Sequence, residues 1–419
     1  MRLSHSPRQQ LSLPTPSPDA QAASEALQQQ IIQQIDTNAG WISFARYMEL
    51  ALYAPDLGYY SGGAAKLGKD GDFTTAPEMS ALFGATLAQL ATSLFTQTNA
   101  QLMEFGAGTG RLAFDFLSEC QAAGITVDHY FIVELSGELR ARQEDLLKDF
   151  PQVQWLQQMP EAFCGVVLGN EVLDAMPVQL VAKTELGWRE VGVSVRTLAE
   201  SEQAESEQAA AESKIKQEPE LIFTDREMDA ELQSQLLTQI PGADQLPLGY
   251  MTELHPVAAG FMRSLAAMLK AGSGLSGKGA LAILIDYGFP AHEYYLDQRT
   301  QGTLMCHYRH HAHPDPFYLP GLQDITAHVD FTAMALAAQA GGLELLAYLS
   351  QAGFLLEAGI GELLMRTSAS DPMAYLPRAN ALQKLISPAE MGELFKVLVV
   401  GTGMELDARL LRHDRSHRL

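Results

Sequence analysis

Residues 101–117, QLMEFGAGTGRLAFDFL, constrain the fold of this chain more than any other stretch. A short apolar run leads into Glu104-Phe105-Gly106-Ala107-Gly108-Thr109-Gly110, after which Leu112, Ala113, Phe116 and Leu117 recur at helical spacing. The order is strand, glycine turn, helix. Glycines at alternate positions let the backbone turn tightly and approach a ligand, because no Cβ intervenes and positive φ is open to them. In an open α/β sheet such a turn sits at the carboxyl end of the first strand and receives a nucleotide-like cofactor. A plain strand-to-helix turn without a ligand is the competing reading.

The dinucleotide form of the turn, G-x-G-x-x-G/A, ends in a small residue that lets helix and strand pack closely. Here the last glycine comes one residue early and Arg111 takes that place, which disfavours a nucleotide-dependent oxidoreductase. Glu104, just before the turn, is awkward beside a pyrophosphate and well suited to an ammonium or sulfonium. Further on, Tyr130 through Val133 form an apolar run with Glu134 at its end, where the second strand of such a fold presents an acid to ribose hydroxyls. Glu134 also fits the first turn of the helix that follows, where the dipole favours an acid.

A third apolar run, Val166 to Leu168, precedes Asn170-Glu171-Val172-Leu173-Asp174. Residues just past the carboxyl end of a strand line the ligand crevice, so Asn170, Glu171 and Asp174 are candidate catalytic groups. The alternative is that Asn170 caps a short helix whose first turn carries the two acids. Pro256 can open a helix ending near Gly272, with Glu253 and His255 at its amino end; Glu253 is a fourth candidate. A strand over 280–288 again leaves acid and phenol, Asp286 and Tyr287, at the carboxyl edge.

With 419 residues, 47% of them hydrophobic, the chain can bury a large core. A formal net charge of −22 argues against a nucleic acid or an anionic membrane as the main partner and favours a cationic one. Cys120, Cys164 and Cys306 lie far apart, which indicates neither a disulfide framework nor a zinc knuckle. The histidines of 307–328 carry no H-E-x-x-H or equivalent, so no metal is expected and a substrate-side loop is the reading. No apolar run reaches the length of a membrane span.

Read in order, residues 1–40 form a flexible tail with a short helix from Glu25 to Ile35, and 41–100 an aromatic-rich, helical lid region. Residues 101–198 and 221–419 form the two halves of an α/β core, separated by an acidic low-complexity insert at 199–220 that repeats AESEQ.

Seven strings fall in one order: YMELALYAPDLGYY, GDFTTAPEMSALFG, MEFGAGTGRLAFDFL, GNEVLDAMPVQL, LIDYG, PGLQDITAHVDF and MGELFKVLVVG. The E-x-G-x-G-x-G turn is similar to motif I of class I S-adenosyl-L-methionine (SAM) methyltransferases. Over about residues 40–402 the chain resembles the MidA-like family of these enzymes. Mitochondrial members of that family are protein-arginine methyltransferases that assist assembly of respiratory complex I. The resemblance implies a Rossmann-like, mostly parallel sheet with an added N-terminal helical region. It implies SAM as cofactor, held by Glu104, Gly106, Gly108 and Gly110 with Glu134 on the ribose, and Gly71, Asp72 and Phe73 of the second string over it. It also implies an arginine-bearing protein substrate, a complex I subunit among the candidates, and leaves a homodimer open. The compartment it implies is the cytoplasm of a bacterial-type cell, or alternatively the mitochondrial matrix. A SAM-binding assembly factor without turnover is the rival function.

Overall fold

A computed structural model describes residues 13–62, 75–196 and 219–419. The chain divides into two compact units. One takes the described parts of Met1–Ala64 with Pro177–Leu254 and Asp297–Ile325; the other takes those of Ala65–Met176 with His255–Leu296 and Thr326–Leu419.

The second unit holds the α/β core. Its central strands are β1 (Gln101–Phe105), β2 (His129–Val133), β3 (Val153–Leu156), β4 (Val166–Asn170), β5 (Ala280–Phe289), β6 (Glu344–Ser350) and β7 (Phe395–Thr402). Their order across the sheet is β6-β7-β5-β4-β1-β2-β3. Every neighbouring pair from β5 to β3 is parallel, and β7 runs antiparallel between β5 and β6. Val329–Asp330 adds a short parallel pairing at the end of β5.

Helices on both faces explain why these strands read as nearly continuous apolar runs. Leu102, Tyr130, Ile132, Val166, Leu168, Ile283 and Val397 point to one face, where Phe83 and Phe116 of helices Ala81–Ser93 and Arg111–Ala122 pack. Met103, Phe105, Val167, Ala282, Leu284 and Leu398 point to the other, against helices Pro256–Ser276 and Phe331–Ala340. The alternation follows the two-residue period of a strand. Because β1 continues to β2 on one side while β4 lies on the other, the order reverses between β1 and β4, which opens a crevice at their carboxyl ends.

The first unit is built around an antiparallel sheet. Its longest strand, Gly187–Arg196, pairs with Gln179–Thr184 and Ile42–Ser43 along one edge and with Glu220–Arg226 along the other. Met251–Leu254 extends the sheet beyond Gln179–Thr184. The amino-terminal helix runs Pro18–Thr37, so it begins seven residues before the Glu25 expected from hydrophobic spacing. Ser17 accepts from the Ala20 amide and Pro18 sits in the first turn, a start that polarity alone had made look like tail. The histidine-rich segment is a hairpin, Met305–Tyr308 against His311–His313, rather than an open loop. Residues 197–218, which include most of the low-complexity insert, lie outside the described residues.

Candidate functional site

The glycine turn leaves the carboxyl end of β1 and enters helix Arg111–Ala122 directly. Gly106 and Gly110 have φ of +65° and +85°, and Gly108 has +54°. A Cβ on Gly106 would also meet Val172 Cγ2 at 3.1 Å, so backbone shape and space both demand glycine there. Thr109 within the turn donates its hydroxyl to Glu78 of the short helix Ala76–Met79.

Two acids flank the turn. Glu104 is 2% exposed, and the Tyr130 hydroxyl donates to its Oε2 at 2.7 Å. Burial pushes its carboxyl up to about 7, the Tyr130 hydrogen bond opposing and the charge of Glu134 adding. Glu134 follows β2 immediately; its Oε1 accepts from the Ser136 amide at 2.8 Å and its Oε2 from Gln143 Nε2 at 2.9 Å. Burial raises this carboxyl as well. A carboxylate has about four lone-pair sites, so two filled positions leave room for a further donor pair.

A second cluster lies just past β4 and on the adjoining part of β5, where Asn170, the last residue of β4, is in register with Ile285. Glu171 takes a left-handed φ of +54° while its amide donates to Ile285 O at 2.9 Å. For a non-glycine residue that conformation costs on the order of 1–2 kcal/mol. No helix follows Asn170, which corrects the capping alternative: the amide of its side chain donates instead to Glu171 Oε1 at 2.9 Å. The group that gathers this turn is Asp286. Its Oδ2 accepts from the amides of Val172, Leu173 and Asp174 at 3.1, 2.9 and 3.2 Å, and its Oδ1 from Tyr287 N.

Asp174 and Asp286 are therefore buried neighbours, with Glu171 half-buried beside them. Burial, then the charge of Asp174, pushes Glu171 to about 8. Burial pushes Asp174 to about 6 while the Tyr287 hydroxyl favours its charged form. Asp286 is driven well above the carboxylate range by burial, then by Asp174 and Glu171. Among the described residues no Lys or Arg forms an ion pair with any of the three. Asp174 Oδ1 and Asn170 Oδ1 are buried without a hydrogen-bond partner among the described residues. The Ala76 amide also favours the charged form of Glu171, so helix Ala76–Met79 touches the acid cluster at one end and the glycine turn, through Glu78, at the other.

The residues singled out in the sequence thus divide. Glu104, Gly106, Gly108, Gly110, Glu134, Asn170, Glu171 and Asp174 all belong to the α/β unit and stand at or just past the carboxyl ends of β1, β2 and β4. Glu253 lies in the other unit, 1% exposed, its Oε1 taken by the amides of Thr303 and Leu304 at 2.7 and 2.9 Å. Gly71, Asp72 and Phe73 lie outside the described residues. Among the described residues no group of three His, Cys, Asp or Glu is arranged to hold a metal ion. Sequence reasoning passed over Gln143, whose partners are fixed only by tertiary structure; Glu78 was legible only through the resemblance of its string, GDFTTAPEMSALFG, and Asp286 gave only its position near a strand end as a signal.

Such a donor set fits an S-adenosyl cofactor. The turn offers bare backbone at three positive-φ positions, Glu134 offers acceptors suited to a diol, and Glu104 offers a buried acid suited to a cation.

The family model of S-adenosyl-L-methionine-dependent methyltransferases matches residues 82–349. The chain is 27% identical to the protein arginine methyltransferase NDUFAF7, mitochondrial, of Mus musculus, over 91% of this chain and 83% of that protein. It is 26% identical to the Drosophila melanogaster homologue, over 93% and 89%. A crystal structure from Burkholderia thailandensis, bound to S-adenosyl-homocysteine, is similar with 49% identity and a TM-score of 0.85, covering 97% of this chain and all of that one. A native crystal structure from the same organism gives 47% and 0.83 at the same coverage.

Proposed function

Because the chain belongs to the family of S-adenosyl-L-methionine-dependent methyltransferases, with that cofactor and a Rossmann-like fold, we propose that it N-methylates arginine side chains of a protein. One observation carries the substrate choice: Asp174 and Asp286 are buried, Glu171 stands half-buried beside them, and no Lys or Arg of the described residues is ion-paired with the three. Burying acids without countercharge is costly, and a guanidinium, protonated at any ordinary pH, supplies the missing charge. The net charge of −22 attracts such a substrate, and the arginine methyltransferase names of the mouse and fly relatives support it.

When bound, SAM supplies a methyl group whose bond to sulfur breaks as a bond to nitrogen forms, leaving S-adenosyl-homocysteine. The chain's own residues do the rest. Glu104, Gly106, Gly108, Gly110 and Glu134 hold the cofactor, and Gly71, Asp72 and Phe73 are assigned to cover it. Glu171, with Asp174, binds the guanidinium, concentrates its positive charge on the nitrogens they face and leaves the remaining nitrogen free to attack. The methylated nitrogen then releases one proton, for which these carboxylates are the nearby acceptors. Asn170 orients Glu171 through their hydrogen bond. Glu253 is a weaker candidate for this work, since its carboxylate already receives two amides.

For the compartment we favour a bacterial cytoplasm over the mitochondrial matrix, since the Burkholderia structures share about half of their residues with this chain and the mitochondrial relatives about a quarter.

The test is transfer of a labelled methyl group from SAM to proteins of a lysate lacking this enzyme, and to a respiratory complex I subunit, with the site located by mass spectrometry. Label on arginine, lost in Glu171→Gln, supports the reading. Label on another residue type sinks the arginine assignment, and a SAM-induced rise in melting temperature without any transfer favours the non-catalytic assembly factor.

A further inference from the structure

Gln143, on helix Gly137–Leu146, is 0% exposed, a costly place for a primary amide unless its hydrogen-bonding capacity is used. Its Nε2 donates to Gly108 O and to Glu134 Oε2, both at 2.9 Å, and its Oε1 accepts from Trp155 Nε1 at 2.9 Å. The amide cannot be turned round. An indole N–H only donates, and a carbonyl and an ionised carboxylate only accept, so each partner requires the orientation observed. The helix comes this close because Gly110 has no side chain: a Cβ there would lie 3.2 Å from Gln143 Cγ and 3.5 Å from its Cα.

From this convergence we propose that Gln143 is a positioning residue for the cofactor, fixing the plane of the Glu134 carboxylate and the Gly108 peptide at once, with Trp155 fixing Gln143. The inference rests on the reading of the glycine turn and Glu134 as the SAM site. With Oε2 held by Gln143 and Oε1 by the Ser136 amide, the remaining lone pairs of Glu134 point in set directions before any diol arrives. Preorganisation of this kind raises affinity without a new contact to the ligand. Gln143 touches no reacting atom, so its loss acts on cofactor affinity and leaves the chemical step at saturating cofactor nearly unchanged.

The experiment is calorimetric titration of S-adenosyl-homocysteine into the full chain, with thermal melts of the same cofactor-free samples. Gln143→Met keeps length and bulk and removes all three hydrogen bonds; Kd should rise about tenfold or more, the range for losing a hydrogen bond to a charged group. Trp155→Phe removes only the donor that orients the amide and should raise Kd by a smaller factor. In a Glu134→Gln background the Gln143→Met effect should shrink, because residues acting through one another are not additive. A melting temperature lowered with Kd unchanged, or an undiminished effect in the Glu134→Gln background, would overturn the proposal. If Glu134→Gln itself leaves Kd intact, it is the cofactor reading of Glu134 that fails, not the role of Gln143 in the fold.

Discussion

Replacing Glu171 by Gln should make the protein more stable while disabling it. Its carboxyl is raised from an ordinary 4.5 to about 8, burial first and the Asp174 charge second. A folded-state pKa above the unfolded value means the neutral form is the one the fold tolerates. The associated stability is fully present below about pH 4.5 and is lost as pH rises towards 8. At roughly 1.4 kcal/mol per pH unit, the wild type has given up on the order of 3 kcal/mol at pH 7 compared with acid conditions. Gln is neutral throughout, and its carbonyl can still accept from Asn170 Nδ2. Circular-dichroism melts from pH 5 to 9 should show the wild type losing melting temperature up to about pH 8 and Glu171→Gln losing less. The gap should reach several degrees, by the usual conversion of about 2–4 °C per kcal/mol for a domain of 150–250 residues. Single-turnover methylation by the same variant should fall about 10²-fold, as expected when a charge acting on the transition state is removed. A variant that melts lower than wild type with normal turnover, or a gap that does not change with pH, would refute the reasoning.

Gly108→Val should abolish detectable SAM binding in a chain that still folds, since a β-branched residue is strained at φ +54° and its side chain enters the cofactor's approach; unchanged calorimetric affinity would count against the turn. For Glu104, held at about 7, the affinity ratio of cationic SAM over neutral S-adenosyl-homocysteine should climb between pH 6 and 8 as the carboxylate ionises, and Glu104→Gln should flatten that climb in paired titrations. Asp286→Asn leaves one side-chain carbonyl for amides now served by two oxygens, so a chemical-denaturation midpoint should report a loss of about 1–3 kcal/mol. A midpoint shift within error would show that the 172–174 turn holds itself.

What the sequence revealed was local. The glycine turn announces itself because alternate glycines between an apolar run and a helical repeat have few other uses, and Glu134 and Asn170–Asp174 follow from their places at strand ends. The residues that organise the site are distant in sequence. Asp286 gathers the amides of a turn more than a hundred residues earlier, and no local pattern marks that acid as different from any other. Gln143 lies in a helix full of polar side chains and is distinguished only by what surrounds it. The antiparallel sheet escaped for a related reason: Gly187–Arg196 and Glu220–Arg226 are ladder neighbours, yet the low-complexity insert stands between them in the chain. The helix start at Pro18 was missed because its first two turns carry little apolar spacing, although the Ser17–Pro18 cap was there to be read.

The two units are each assembled from three separate stretches, and the chain passes from one to the other five times. No truncation from either end and no single proteolytic cut can release either unit as one continuous polypeptide. Dissection by subcloning, the usual route to assigning work to a domain, is closed unless the chain is rewired with new linkers or circularly permuted. Synthesis order carries the same restriction: β7 slots between β5 and β6 and is made long after β5, so the sheet under the acid cluster stays incomplete until residues 395–402 emerge. A nascent protein stalled before residue 395 should therefore show protease-sensitive β5, and protection should arrive only with the final strand.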